Sequence, residues 1–150
     1  MSITGAIILS GLPVSELRGG IPLAVSSGMN PFLAFLICVL VNILIIFPIF
    51  LFLDCFHKSF LKFKFYRKSF NKVIDRSRKK LEKYVGSKWE FLALLLVVAI
   101  PFPGTGAYTG SLLAWFFGLN RKKSYFAIGL GVVIAGIIVS LVSVGVFSLF

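Results

Sequence analysis

Few side chains in this 150-residue sequence could do chemistry, and they gather in two short stretches. In Glu16-Leu17-Arg18-Gly19-Gly20-Ile21-Pro22, Glu16 and Arg18 are the only charges before Asp54. A carboxylate can exchange a proton or bind a cation, and a guanidinium offers a planar fork to a phosphate or carboxylate. The second stretch, Pro101-Phe102-Pro103-Gly104-Thr105-Gly106-Ala107-Tyr108-Thr109-Gly110, carries no charge. Thr105, Tyr108 and Thr109 supply hydroxyls, while Gly104 and Gly106 leave backbone amides open to an anion. Gly19, Gly20 and Pro22 belong with the first set, Pro101 and Pro103 with the second, and the prolines shape the backbone rather than touch a ligand. The plainer alternatives are that Glu16 and Arg18 pair with each other and that the second stretch is a tightly packed turn. No nucleophile-base pair is visible. One histidine and two cysteines do not make a metal centre, so neither an enzyme nor a metal or cofactor is expected.

Composition decides where these residues sit. Hydrophobic residues make up 58% and charged ones 14%, with a mean hydropathy of +0.98, which places the chain among integral membrane proteins. Cys38 and Cys55 lie on or beside one apolar run and are not expected to form a disulfide. The first thirteen residues carry no charge, unlike the start of a signal peptide, and are read as part of the mature protein.

The elements that must position the two stretches follow in order. Residues 2–12 are apolar but too short to span. With the Pro/Gly-rich tip at 12–22 and a short return, residues 1–30 read as a re-entrant hairpin; one broken span over about residues 3–27 is the alternative. Residues 31–54 form a transmembrane helix, whose 23 uncharged residues reach about 34 Å at ~1.5 Å each. Pro48 should kink it, and Asn42 should bond a neighbouring helix. Residues 55–88 are an amphipathic basic helix. Between residues 58 and 90 twelve positive charges face three negative ones, with aromatics at helical spacing, as for a helix on an anionic membrane surface. The net charge of +11 is therefore read as membrane-facing, without nucleic acid as a partner. Residues 89–119 form a second re-entrant hairpin around the uncharged stretch. A hairpin returns Arg121, Lys122 and Lys123 to the side of the basic helix, as the positive-inside rule requires. Residues 124–150 are a second span. Ala127, Gly131 and Ala135 line one stripe of it, suited to close packing within the monomer or in a dimer.

Both halves thus run hairpin, then span. At an offset of 90, Pro13, Gly20, Leu23, Ala24, Gly28 and Asn30 match Pro103, Gly110, Leu113, Ala114, Gly118 and Asn120. One intervening span inverts the second copy, an arrangement from which many transporters build a midplane site. The fold class is an all-α integral membrane protein with an inverted repeat of re-entrant hairpin plus transmembrane helix. The expected location is the cell membrane, multi-pass, with residues 55–88 and 121–123 cytoplasmic and both termini outside.

Taken together, the stretches 16–22 and 101–110 resemble the small multidrug export protein family, which is similar to a distant branch of the DedA (VTT-domain) superfamily. The resemblance implies facing re-entrant hairpins, with Glu16 and Arg18 at one tip and Pro103, Gly104, Thr105 and Gly106 at the other. It also implies transport of a lipid-like or drug-like amphipathic substrate, coupled to protons or ions. DedA proteins carry an arginine in their second motif, where this chain has no charge. The expected function is membrane transport of an amphipathic or anionic lipid-like substrate. The alternative is a non-transporting scaffold whose basic helix binds anionic lipid or a cytoplasmic partner. Expected partners are membrane lipids, with anionic headgroups at residues 58–83, and a second copy of the chain.

Overall fold

In the computed structural model every regular element is a helix among the described residues, which are 4, 5, 8, 12, 15–60, 62–65, 67–69, 71, 72, 75, 88–102 and 105–149. They form α1 (Glu16–Ser26), α2 (Pro31–Phe60), α3 (Lys88–Ala99), α4 (Ala107–Phe116) and α5 (Arg121–Ser148). α2 and α5 contain apolar runs long enough to cross a membrane, over Pro31–Ser59 and Arg121–Val146. α1, α3 and α4 have 11, 12 and 10 residues. At ~1.5 Å per residue each reaches about half of a ~30 Å hydrocarbon core. Most of the first arm of the expected first hairpin and half of the basic segment 55–88 lie outside the described residues. So do Pro13, Pro103 and Gly104.

Turn chemistry sets the order of helices, and it does so twice. α1 ends with Gly28 at φ 85° and α4 with Gly118 at φ 65°, a region glycine enters freely. Each glycine belongs to the same closing pattern: Gly28 N–H reaches Val25 O and Met29 N–H reaches Ala24 O, while Gly118 N–H reaches Trp115 O and Leu119 N–H reaches Ala114 O. An asparagine then starts the long helix. Asn30 Oδ1 accepts the Phe32 N–H at 2.9 Å, and Asn120 Oδ1 accepts those of Lys122 and Lys123 at 3.1 and 3.4 Å. Burial keeps the same register, with Leu17, Gly20, Ile21 and Ala24 inside on α1 and Ala107, Gly110, Ser111 and Ala114 inside on α4. Each of these positions is offset by 90 from its counterpart.

The long helices are antiparallel. Asp54 near the end of α2 meets Arg121 at the start of α5, and a Cβ at Gly136 of α5 would press on Phe35 and Val39 near the start of α2. α1 and α4 each pack against both long helices, and α3 runs beside α5. The glycine stripe of α5 is spent inside the molecule: a Cβ at Gly131 would lie 2.7 Å from Val98, and Ala127 and Ala135 are buried. The outside is the reverse of a soluble protein. Phe32, Leu36, Leu44 and Phe47 on α2 and Phe126, Leu130 and Leu141 on α5 are exposed. Apolar patches of that extent require lipid or another apolar cover.

Two expectations need correction. The tips are shorter than residues 12–22 and 101–110 imply, because helix begins at Glu16 and at Ala107. Glycine costs a helix only about 1 kcal/mol. Gly110 is needed there, since a Cβ would lie 2.5 Å from Val98 Cγ2. α2 passes Pro48 and Asp54 and continues to Phe60, because Asp54 is held by other helices and does not have to mark an end. Asn42, fully buried, donates from Nδ2 to Cys38 O of its own helix at 2.9 Å. Cys38 is buried and Cys55 exposed, both as thiols.

Candidate functional site

Glu16 opens α1 from a backbone with φ 45°, in the left-handed region that costs a residue with a side chain about 1–2 kcal/mol. The residue is buried, only 6% exposed. Its Oε1 accepts the Tyr108 N–H at 3.3 Å, in the first turn of α4. α4 lacks a cap of its own, because its N-cap residue is Gly106, which has no side chain to offer. A Cβ at Gly106 would fall on the Glu16 carboxylate. The φ of Gly106 is 165°, extended backbone open to any residue, so space alone demands glycine here. Positions 16 and 106 are repeat counterparts, and one side chain fills the room between them.

Arg18 makes the complementary contact. Its Nη2 donates to Ile100 O at 2.9 Å and to Thr105 Oγ1 at 3.0 Å. Ile100 directly follows α3, so its carbonyl lies at the helix end where acceptors lack intrahelical partners. The Thr105 hydroxyl accepts from Arg18 and gives its single proton to Ile100 O at 2.8 Å or Phe102 O at 2.9 Å. An acid therefore sits on the positive end of α4 and a guanidinium on the negative end of α3. The uncharged tip meets the charged one through helix termini. Glu16 and Arg18 do not form an ion pair with each other, whereas Arg121 does pair with Asp54.

The other residues singled out from the sequence divide clearly. Glu16, Arg18, Thr105, Gly106 and the backbone of Tyr108 come together. Gly19 packs on Ser15, where a Cβ would lie 2.7 Å from its Cβ, and Gly20 is buried on the packed face of α1. Pro22 lies within α1, and Pro101 is exposed. Tyr108 and Thr109 line a second groove with Ile45, Pro48 and Ile49, near the middle of α2. The site thus lies at mid-height of the long helices. Pro103 and Gly104 are outside the described residues.

The family profile described as "Putative small multi-drug export protein" matches residues 16–138, from the charged tip well into α5. The chain belongs to the small multi-drug export protein family. No curated protein and no solved structure matches it. The matched region begins at Glu16 itself and contains the contacts of Glu16 and Arg18 with the second tip.

Sequence reasoning missed one further cluster. Asp54 accepts from Arg121 Nη2 through both carboxylate oxygens, at 2.7 and 2.6 Å, and from Trp115 Nε1 at 3.0 Å. Arg121 also lies over the Phe50 ring, 5.7 Å from its centre, and His57 meets Trp115 edge-on. One carboxylate thereby joins α2, α4 and α5 at one end. The available signal was an aspartate within an otherwise helical apolar run, read instead as the helix exit.

Proposed function

We propose that this chain is a transporter of amphipathic substrates with an anionic, lipid-like or drug-like character, and that Glu16 couples movement to protons. The observation that carries the reading is the buried Glu16 carboxylate on the α4 N-terminus, over a glycine that makes room for it. Membership of the small multi-drug export family supports a transport role.

The chemistry follows from what Glu16 occupies. As an anion it satisfies α4 amides that would otherwise welcome a phosphate or carboxylate. On protonation it loses most of its attraction for the helix end. A substrate anion then competes for the same amides, with Arg18 and Thr105 two residues and one hydrogen bond away. Charge balance at the site is kept when a proton and an anion arrive together. Breaking the Arg18 contacts with Ile100 and Thr105 lets the tips part.

The surrounding architecture is proposed on the same footing. Two re-entrant hairpins enter from opposite sides, the repeat is inverted, and the family is a distant branch of the DedA superfamily. The matched caps, glycines and burial registers of α1–α2 and α4–α5 support the repeat. By the positive-inside rule residues 55–88 and 121–123 are cytoplasmic and both termini outside, the basic segment 58–83 meets anionic headgroups, and two copies associate. The protein performs no covalent chemistry and needs no cofactor. Transport in reconstituted vesicles tests the coupling: with Glu16→Gln the dependence on a proton gradient disappears. Unchanged gradient dependence in that variant removes Glu16 from the coupling role.

A further inference from the structure

We infer that the groove between α3 and the α4–α5 turn is a binding site for one anionic phospholipid, with an acyl chain along α3 and the phosphate among Lys88, Lys122 and Lys123. The groove encloses about 420 Å³. Trp89, Leu92, Leu96 and Val97 line it from α3, and Leu113 and Phe117 from the other side. Its walls are apolar apart from Glu90 at one end.

Length and charge choose the occupant. From Trp89 to Val97 the helix rises about 12 Å at ~1.5 Å per residue, most of the ~15 Å depth of one leaflet. Trp89, 66% exposed, stands at the end where Lys88 begins α3 and Arg121 begins α5. Tryptophan at that height marks the membrane interface. Lys88 adjoins Trp89, and Lys122 and Lys123 follow closely on Leu119, which also lines the groove; all three lysines are exposed. Three exposed, flexible cations thus lie one to four residues along the chain from lining residues, beside the single carboxylate of Glu90. A phosphate with a chain beneath it satisfies both the charge and the depth, whereas a protein helix from a second copy satisfies only the apolar wall. The site is distinct from residues 58–83, and it stands without the transport reading, since lipid can dock on a protein that moves nothing.

Tryptophan quenching tests it in full-length protein. Trp115→Phe leaves Trp89 as reporter in phosphatidylcholine vesicles containing a brominated-chain lipid, either phosphatidylglycerol or phosphatidylcholine. Each interfacial lysine strengthens anionic-lipid partitioning by about fivefold. Brominated phosphatidylglycerol should therefore associate at least about fivefold more tightly than the choline lipid. Replacing Lys88, Lys122 and Lys123 with Gln should bring the ratio to about one, and Glu90→Gln should raise it. In Trp89→Phe protein, where Trp115 reports, the preference should be absent; this variant and the wild type together give the answer independently if Trp115→Phe fails to fold. Equal quenching by the two lipids overturns the proposal. So does a preference that survives loss of the lysines, or weak quenching by both lipids, which would assign the groove to a second copy.

Discussion

Glycine 106 matters because of a side chain ninety residues away. Its backbone angle would accept alanine, but the Cβ would take the place of the Glu16 carboxylate. Overpacking of this kind costs about 1–3 kcal/mol, and loss of a helix cap about 1 more. Gly106→Ala should therefore lower unfolding stability in detergent by about 2–4 kcal/mol. In a Glu16→Ala background the same change should cost under about 1 kcal/mol, because the obstructing carboxylate is gone; equal costs in both backgrounds would contradict the contact. Arg18 tests the other half. Lysine keeps the charge but presents a point donor in place of a fork, so Arg18→Lys should weaken the joint hold on Ile100 O and Thr105 Oγ1. A transport rate reduced at least about tenfold in that variant, with folding intact, is the expected outcome.

The repeat has consequences at the level of helices. Gly28 and Gly118 close α1 and α4 with positive φ and matching hydrogen bonds. Alanine at either position should cost about 1–2 kcal/mol, and the two losses should be similar because the motif is the same. Gly129 and Gly145 of α5 supply the contrast, since nothing lies within 4 Å of a Cβ at either. Alanine there should be neutral or stabilise by up to about 1 kcal/mol. Thermal unfolding of the four variants measures the difference directly. Gly131 belongs with neither pair: alanine there would press on Val98 and on the Leu95 carbonyl, pushing α3 away from α5.

For the whole molecule, the decisive question is how the short helices lie in the membrane. Cysteine accessibility across residues 10–22 and 101–110 should show labelling of the first tip from outside and of the second from the cytoplasm. Labelling of both from one face would exclude the inverted arrangement. The Asp54–Arg121 contact ties the far end of the bundle. Its side chains are 28% and 55% exposed, so solvent screens it, and Asp54→Asn should cost no more than about 1 kcal/mol, less in high salt.

Much of this was written in the sequence, for local reasons. An uncharged run as long as residues 31–53 reads as a span because lipid admits few alternatives. Gly28 with Asn30, and Gly118 with Asn120, stood out only as matches at an offset of 90; the structure showed each pair to be a helix end and a helix start, acting on its own backbone. Glu16 and Arg18 stood out because charge in such surroundings is costly. The tertiary structure alone decided what they touch. Gly106 looked like an amide free for a ligand, and packing put the Glu16 carboxylate there. Arg18 seemed available to Glu16, but the open carbonyl end of α3 took it. Asp54 looked like the close of a helix, until Arg121 and Trp115 came to it from other elements. Pattern and propensity act over a few residues, so they locate the long helices; the extent of the short helices and the partners of a buried charge depend on where packing brings a helix end, and no spacing in the chain records that.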